Sequence, residues 1–534
     1  MAEIEDLELE FADLSEHAAI IEALWQEASL ARRYGDLDPA LDAYCRILEM
    51  DNGHAEAMLA AAEVCRLSGH SHDALQFCVD LLELEPRHIG GRLEMAENLR
   101  LLGQADDAHA IHDLLLLERP DSPHSWCGLA RLLADEGKQS GAEACLRRAL
   151  ALDPAHAPAW AALGRGLLSE SRVEEALDAL HATLILEPEC TAHHVAMTEA
   201  LIALGRYDEA RPHLDRALAL DDEDVHARLA QAHLLALDGH LTQAFHEAQC
   251  RWHLPGRGRP LLPGCPWDGE DLEASTLLLH AEGNLGDTIR MARFLPILAE
   301  RGARLVVMAP LALKTVLANL PGVEAVLPDD APPPEDLEAD YVAPLMDLPG
   351  LLGVELTSIP NASYLVPPPE RIRTIRVPAH TQVKVGLAWV SDTAAGDVPL
   401  DRLLRLSCIP GILLFSLQTG PRAAEAPALA EPSLITDLSP TIADFADLAG
   451  RIAEMDVVIT ADCATAHLAA ALGKPVWLML AHAAAALWLR DRTDSPWYQD
   501  MVLLRQAVPG NWNTVMETVT SRLVRLRDQM AERD

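Results

Sequence analysis

The sequence predicts an α-solenoid followed by an α/β region of two halves, each built on a parallel sheet. Two observations predict this order. Small residues and prolines recur every 34 residues through the first half of the chain, and short continuous apolar runs alternate with helical stretches through the second. The chain has 534 residues, of which 50% are hydrophobic, so it carries enough apolar sequence for several cores.

The charge of the chain is strongly negative and unevenly distributed. The 82 acidic and 42 basic side chains give a formal net charge of -40. Residues 1–250 hold 47 acids and 18 bases (-29), and residues 251–534 hold the other 35 and 24 (-11). Because nucleic acids and anionic membranes reward Lys and Arg, this composition excludes nucleic acid as the expected partner. It also predicts two differently built halves.

Cysteine and histidine usage predicts neither a disulfide framework nor a metal site. The ten cysteines contain no Cys-x-x-Cys pair, and the histidines occupy different repeat positions without a recurring Cys or carboxylate partner. The acidic start at Met1–Asp6 is unlike a secretory signal, and the apolar stretch around Pro475–Leu489 is shorter than a membrane span. We therefore expect a cytoplasmic protein without membrane insertion.

Three registers share the 34-residue period. Ala occurs at 40, 74, 108, 142, 176, 210 and 244; Gly occurs at 35, 69, 103, 137, 205 and 239, with Ser171 in the gap; Pro occurs at 86, 120, 154 and 188. Gly suits a tight turn between two antiparallel helices, the small Ala lets the helices approach, and Pro ends the second helix. The period therefore predicts a stack of helix pairs.

This pattern resembles the tetratricopeptide repeat, to which Trp126, Trp160, Leu163, Gly164 and Pro188 correspond well. We expect about seven repeats over residues 21–258, after an acidic N-terminal segment at 1–20. The resemblance implies a groove that binds a protein or peptide. Its expected lining is Arg66, Arg100, Arg131 and Arg165, with Glu63, Glu97 and Glu199. These side chains either bind an acidic or mixed polar ligand or form a solvated, ion-paired surface.

A Pro- and Gly-rich linker at 259–271 precedes the α/β region, whose halves are expected at 272–378 and 379–534. Continuous apolar runs predict strands that are buried on both faces of a parallel sheet. The first half has runs at 276–280, 304–308 and 323–327, with helices at 287–300 and 311–320. The second has runs at 383–390, 412–417, 434–436, 457–460, 476–480 and 501–505, and a closing helix at 513–530. Two Rossmann-like halves with a cleft between them are implied.

The first strand runs into the sequence His280-Ala-Glu-Gly-Asn-Leu-Gly-Asp-Thr, which contains neither G-x-G-x-x-G nor a P-loop. Gly286 would permit a sharp turn, and Asp287 would begin a helix at the carboxyl edge of the sheet. A carboxylate there accepts a proton from an attacking hydroxyl or simply caps the helix. Position alone leaves both roles open.

A strand at Val457 runs into a small-residue loop and then a helix that starts near Ala464. The free N–H groups and positive dipole end of such a helix suit a phosphate. Asp462 and Thr465 would orient the turn, and His467 would reach a phosphate or sugar oxygen. Core or capping roles for these residues are the alternative.

Together with Phe415–Gly420, Asp444–Asp447 and Asp494–Tyr498, these two stretches resemble the heptosyltransferase-like (family 9) GT-B glycosyltransferases. The whole chain resembles bacterial proteins that fuse tetratricopeptide repeats to such a domain, some of which are similar to flagellin glycosyltransferases. The resemblance implies an inverting, metal-independent sugar transfer that needs a nucleotide-sugar substrate and no cofactor.

Carried over residue by residue, the resemblance implies Asp287 as the base and a donor site in the second half. The donor site would comprise Gln418, Asp462, Ala464, Thr465 and His467, with Lys474 and Arg505 as additional cations. His280, Asn284 and Gly286 would belong to the loop on the acceptor side. The acceptor would be a protein held by the repeats, such as flagellin, and the sugar a nonulosonic acid.

Two departures from that family affect the expected chemistry. Relatives carry a basic segment after the Gly-Leu-x-Trp strand, where this chain reads Trp389-Val-Ser-Asp-Thr, and the Thr-Gly pair of their donor loop is Cys463-Ala464 here. Either a less anionic donor such as a CMP-sugar is used, or catalysis is weakened or lost. A non-catalytic scaffold and a transferase that acts on lipopolysaccharide or another glycan are the alternative functions.

Overall fold

The computed structural model describes residues 2–33, 35–254, 256–378, 382–429 and 434–532. The chain forms two compact units, Met1–Ala200 and Leu201–Asp534. The boundary expected between the halves of the α/β region, at 378 and 379, adjoins residues 379–381, which lie outside the described residues. None of the helices in the described part of the chain combines the length and the apolar character that crossing a bilayer requires.

Helices follow one another through the repeat region as the period predicts. They are α1 (Ala2–Arg33), α2 (Leu37–Met50), α3 (Ala55–Leu67), α4 (Ser71–Leu84), α5 (Ile89–Leu101), α6 (Ala105–Glu118), α7 (Pro123–Asp135), α8 (Gln139–Leu152), α9 (Ala157–Ser169), α10 (Val173–Leu186), α11 (Thr191–Ala203), α12 (Tyr207–Leu220), α13 (Val225–Leu237) and α14 (Leu241–Glu247). From α3 to α13, each odd-numbered helix starts 34 residues after the previous odd-numbered helix, which confirms the repeat register. We expected the repeats to begin at residue 21, after a separate segment at 1–20. Helix α1 instead runs across this boundary without a break.

The three registers do what their residue types predict. The periodic glycines lie in the turns with φ between 71° and 85°, and Ser171 takes the same left-handed conformation with φ of 61°. The periodic alanines are buried, at 0% to 4% exposure for Ala40, Ala74 and Ala142. The indole Nε1 groups of Trp126 and Trp160 donate to the carbonyls of Pro120 and Pro154, at 3.0 and 2.9 Å. The first part of the chain is an α-solenoid.

Two parallel sheets follow the repeats. The first contains β1 (Cys265–Pro266), β2 (Thr276–His280), β3 (Arg304–Met308), β4 (Val323–Leu327) and β5 (Tyr341–Pro344), in the order β1-β5-β2-β3-β4. The second contains β6 (Val383–Ala388), β7 (Ile412–Ser416), β8 (Thr436–Asp437), β9 (Val457–Ala461), β10 (Val476–Leu480) and β11 (Met501–Arg505), in the order β11-β10-β9-β6-β7-β8. Strands β2, β9 and β10 are buried at every position, as their continuous apolar runs predict.

The order of the second sheet is that of a doubly wound fold. Counted from β6, its strands read 6-5-4-1-2-3, and neighbouring strands of the described sheet pair in parallel. In this arrangement the chain reverses its winding direction between the first strand, β6, and the fourth, β9. Ligands of doubly wound sheets bind outside the carboxyl ends of the strands at this point. The fold therefore directs attention to the residues that follow Ala388 and Ala461.

The remaining helices are shorter than those of the repeats. They are α15 (Leu285–Met291), α16 (Leu295–Glu300), α17 (Lys314–Leu317), α18 (Leu348–Leu351), α19 (Leu400–Leu404), α20 (Glu425–Leu429), α21 (Phe445–Ala453), α22 (Ala464–Ala471) and α23 (Asn513–Ala531). The helix expected at 287–300 is interrupted by a 3-10 turn at Ala292–Phe294, after which Pro296 lies in the first turn of α16. Because proline lacks an N–H group, it cannot continue the hydrogen-bond ladder of α15.

Candidate functional site

The switch point of the second sheet is a compact polar cluster, which we call the switch-point site: Asn284, Gly286, Asp287, Ser391, Asp392, Asp462 and Ala464. The Ser391 hydroxyl and the Asp392 N–H both donate to the Asp462 carbonyl, at 3.0 and 2.9 Å. From the first half, Asn284 Nδ2 donates to Asp392 Oδ2 at 2.8 Å. The loops after β2, β6 and β9 therefore meet at one place.

Asn284 sets the geometry of the loop after β2. Its side-chain oxygen accepts the Asp287 N–H at 2.7 Å, so Asn284 is the N-cap of α15. The prediction that Asp287 begins the helix or caps it is therefore wrong, because Asp287 is the third helical residue. The sharp turn belongs to Gly283, with φ of 85°, and not to Gly286 as the sequence suggested.

Gly286 instead permits two helices to touch. A Cβ atom at this position would lie 2.8 Å from His467 Cδ2 and 3.5 Å from the Ala464 Cα. Helix α15 therefore packs against the first turn of α22 with no room for a side chain between them. This close approach holds Asp287 next to the N-terminus of α22.

Asp287 is an ionised carboxylate in a charged pair. Its Oδ1 accepts from Arg290 at 2.7 Å, one helical turn away. Burial alone would raise the pKa of Asp287, but the positive charge and hydrogen bond of Arg290 hold it below its ordinary value. The carboxylate is therefore charged at neutral pH.

Asp462 lies deeper and holds its proton more tightly. Its Oδ2 accepts the indole N–H of Trp488 at 2.8 Å. Burial, reinforced by the negative charge of Asp392, raises the pKa of Asp462 to about 6. Burial and the negative charge of Asp287 likewise raise the pKa of Asp392. The site thus gathers three carboxyl groups of graded proton affinity.

His467 is packed within the protein. Its ring is 4% exposed, stacks on Trp488 with centroids 5.3 Å apart, and forms a 2.9 Å hydrogen bond from Nδ1 to the Tyr498 hydroxyl. Burial lowers its pKa to about 3, so the imidazole is neutral. His467 thus packs against Trp488, and the indole of Trp488 in turn donates to the Asp462 carboxylate.

The N-terminus of α22 carries no side-chain cap. Cys463 occupies the N-cap position without accepting a hydrogen bond from the helix, and Thr465 is 5% exposed. Ala464 is half-buried and contributes no polar side chain. The Ala466 N–H donates to the Cys463 carbonyl at 2.9 Å, so the earlier N–H groups of this turn are the groups of α22 that are suited to an anion.

Two predicted donor residues are engaged in other contacts. Gln418 Oε1 accepts the N–H groups of Trp389 and Val390, at 3.0 and 3.1 Å, so it fixes the chain where it leaves β6. Lys474 precedes β10 and donates to the carbonyls of Ala453 and Met455. It lies at the amino edge of the sheet, and the structure does not bring it to the switch-point site.

Arg505 and His280 end strands at the carboxyl edges of the two sheets. Arg505 donates to the Leu489 carbonyl at 2.6 Å. His280 is 9% exposed, and burial lowers its pKa to about 4. Beside His280, Arg251 forms ion pairs with Glu282 and with Asp347. His280 therefore belongs to a buried polar cluster at the switch point of the first sheet.

The repeat groove contains the four predicted arginines in two different states. Arg66 pairs with Glu94 at 2.5 Å, Arg100 with Glu97 at 2.9 Å, and Arg131 with Glu97 at 3.2 Å. These three arginines are ion-paired within the repeats. Arg165 is exposed, and the described part of the chain offers it no carboxylate partner. It lines a cavity of about 380 Å³ together with Arg131, Leu146 and Leu163.

Sequence reasoning missed Asn284 as the cap, Arg290 as the cation beside Asp287, and Trp488 as the partner of Asp462. Asn three residues before Asp287 is an N-cap signal that can be read directly. Arg290 follows Asp287 at the i, i+3 spacing of helical ion pairs. Trp488 lies 26 residues after Asp462, and no local pattern links the two.

Comparison with known proteins identifies the repeats. Residues 92–283 match the family model of the cilia and flagella-associated protein 70 middle TPR-like domain. Protein FlbA of Caulobacter vibrioides is 26% identical over 339 residues, which cover 55% of this chain and 54% of FlbA, so the match spans about half of that relative.

Solved structures similar to this chain include repeat proteins. A tetratricopeptide repeat protein from Parabacteroides merdae is 13% identical, with 46% of this chain and 95% of that chain covered and a TM-score of 0.32. YrrB, titled a TPR protein with an unusual peptide-binding site, is 18% identical, with 36% and 99% covered and a TM-score of 0.25. Together the helix register and the family model show a TPR-like solenoid, a fold that serves protein–protein interaction.

Proposed function

We propose that this chain is a protein O-glycosyltransferase whose repeats hold a protein acceptor while the switch-point site transfers a sugar from a nucleotide-sugar to Ser or Thr. One observation carries the proposal: the ionised Asp287 stands beside the uncapped N-terminus of α22, at the switch point of a doubly wound sheet. Flagellin as acceptor and a nonulosonic acid as sugar are finer proposals that rest on the family resemblance alone. The GT-B fold is likewise a proposal that rests on the family resemblance.

The proposed step divides the chemistry between the two halves. Asp287 takes the proton of the acceptor hydroxyl, and the oxygen attacks the anomeric carbon as the bond to the leaving phosphate breaks. The first-turn N–H groups of α22 stabilise the negative charge that develops on the phosphate. Because Asp392 and Asp462 lie close by, a donor with one phosphate, such as a CMP-sugar, is favoured over a diphosphate.

The test compares sugar transfer by wild type and Asp287→Asn. The acceptor is captured from the native cell with the full chain and identified by mass spectrometry, and CMP- and UDP-sugars are supplied in turn. We expect Asp287→Asn to lower transfer at least about a hundredfold, the usual size of a general-base contribution. Asp330→Asn, in the exposed loop after β4, is the matched control and should transfer as wild type. Undiminished transfer by Asp287→Asn rejects the proposed base.

A non-catalytic scaffold is the second candidate, and a specific observation favours it. Gln418 and Lys474, two of the predicted donor residues, are bonded to backbone groups. A scaffold would bind its protein partner through the repeats and show no binding of CMP- or UDP-sugars at millimolar concentration in calorimetric titration. Saturable nucleotide-sugar binding that competes with the free nucleotide would reject the scaffold.

A transferase that acts on lipopolysaccharide or another glycan is the remaining alternative. Its activity would not depend on the repeat groove. Transfer to a glycan acceptor that is unaffected by Arg165→Glu would favour it over the protein transferase.

A further inference from the structure

The turn between α10 and α11 gathers three metal-ligating side chains. Glu187, Cys190 and His193 each offer one ligand atom, and these atoms lie within 4.8 Å of one another. His193 Nε2 is already 2.7 Å from Glu187 Oε2. The three residues are spaced i, i+3 and i+6 along one turn, so a single local segment presents all of them.

His193 differs in residue type from the equivalent positions of the other repeats. The equivalent positions, at multiples of 34 residues, are occupied by small side chains: Ala57, Gly91, Ser125, Ala159 and Ala227. Ala57, Ser125, Ala159 and Ala227 are 0% exposed, and Gly91 is buried. His193 puts an imidazole, 8% exposed, where the repeat needs only a methyl group. Packing of the repeat therefore does not explain this residue.

Cys190 departs from the repeat in the same turn. Its equivalents His54, His88, Ser122, His156 and Asp224 are N-caps whose side chains accept the N–H three residues later. A thiol is a weak acceptor, so cysteine serves this capping role poorly. The Cys190 backbone carbonyl accepts from the His193 N–H at 3.2 Å, which keeps the helical entry formed. The sulfur is left available for other chemistry.

The adjacent His194, by contrast, follows the repeat. Its Nε2 lies 2.9 Å from the Pro188 carbonyl. Trp126 and Trp160 make the same contact with Pro120 and Pro154. Cys190 and His193 therefore both depart from the pattern of the repeat, and both introduce strong ligands for divalent metals beside a carboxylate.

We propose that Glu187, Cys190 and His193 bind a zinc ion. Thiolate, imidazole and carboxylate are the three ligand types of Zn²⁺ sites, at about 2.3 Å from sulfur, 2.0–2.1 Å from nitrogen and 2.0–2.2 Å from oxygen. Metal binding replaces the contact between His193 and Glu187 and requires Cys190 to bind as the thiolate. Three protein ligands leave a fourth position for water or for a ligand from a bound partner.

The test uses Co²⁺ as a spectroscopic probe of the full chain. Thiolate coordination gives a charge-transfer band, which identifies Cys190 as a ligand and is absent from adventitious carboxylate binding. We expect one equivalent to bind, to be displaced by Zn²⁺, and to raise the unfolding temperature. Cys190→Ser and His193→Ala should each weaken binding at least about tenfold, as the loss of a ligand does in such sites.

Both variants are matched to the repeat and should fold. They create the residues found at the equivalent positions Ser122 and Ala159. Cys408→Ser, at an exposed cysteine, is the control and should bind as wild type. Helicity measured by circular dichroism confirms that each variant is folded. The proposal is overturned if the wild-type spectrum lacks the thiolate band, or if both variants bind Co²⁺ as tightly as wild type.

Discussion

At the residue scale, the switch-point site is governed by how far its carboxyl groups are removed from water. Asp287 keeps its charge because Arg290 lies 2.7 Å away. Asp462 accepts a hydrogen bond from the neutral indole of Trp488, and burial raises its pKa to about 6. Two carboxyl groups of one site are thus shifted in opposite directions, because Arg290 favours the charged form of Asp287 and burial favours the neutral form of Asp462.

The raised pKa of Asp462 predicts a pH-dependent stability. A carboxyl group whose pKa is raised by folding contributes stability below its unfolded pKa, near 4, and that contribution is lost as the pH rises through about 6. Asp462→Asn removes the charge while keeping an acceptor for Trp488. We expect it to stabilise the protein by about 2 to 3 kcal/mol at about pH 8 and clearly less at about pH 4.5.

Thermal unfolding of the two proteins at both pH values measures this difference. Asp500→Asn changes an exposed carboxylate in the loop before β11 and should shift the unfolding temperature equally at both pH values. A stabilisation by Asp462→Asn that does not grow with pH contradicts the raised pKa.

The side-chain partners explain why sequence predicted only part of the site. Asp287, Asp462 and Ala464 were predicted because each lies where a readable strand runs into a helix. Gln418 was assigned to the donor, and its side-chain oxygen accepts the N–H groups of Trp389 and Val390. Trp389 lies 29 residues before Gln418 in the chain, so no local sequence pattern predicts the hydrogen bond between them.

At the scale of elements, the site depends on the packing of α15 against α22. The strands that frame it were predictable because buried parallel strands are continuous apolar runs, and β2, β3, β4, β10 and β11 match their predicted bounds. Strands β1 and β5 were missed. Both are short and end in proline, and their residues are exposed or half-buried at most positions, so they lack the apolar run.

Gly286→Ala tests the contact between α15 and α22. The added methyl group would lie 2.8 Å from His467 Cδ2, and both helices are buried at this point. We expect a loss of about 1 to 3 kcal/mol from overpacking, which exceeds the gain in helix propensity. Faster hydrogen exchange in the first turn of α22 should accompany the lower unfolding temperature.

Gly166→Ala is the matched control for this substitution. Gly166 lies inside α9, and a Cβ atom there meets nothing within 4 Å. Alanine should therefore stabilise that helix by about 0.5 to 1 kcal/mol. If Gly286→Ala stabilises the protein to the same extent, the two helices are not in close contact.

At the scale of the whole molecule, the charge is concentrated where the repeats are. The formal charge of -29 in residues 1–250 opposes the approach of an acidic protein. The groove arginines modify this only locally, since Arg66, Arg100 and Arg131 are neutralised by Glu94 and Glu97. Arg165 remains as a cation of the cavity that Arg131, Leu146 and Leu163 also line.

Arg165→Glu is therefore expected to reduce partner capture by the repeats. An arginine–carboxylate contact contributes about 1.5 to 3 kcal/mol, so we expect at least a tenfold loss of affinity for the main captured protein. Affinity capture from the native cell with quantitative mass spectrometry measures it. Arg148→Glu, at an exposed arginine of α8, carries the same charge change and should capture the same protein at wild-type yield.

Ser171 makes one turn of the solenoid differ from the others in the free energy of its backbone conformation. It holds a left-handed turn, with φ of 61°, where the other repeats have glycine, and such a conformation costs a residue with a side chain about 1 kcal/mol or more. The turn between α9 and α10, which lies inside one repeat, therefore carries a backbone cost that the glycine turns of the other repeats do not.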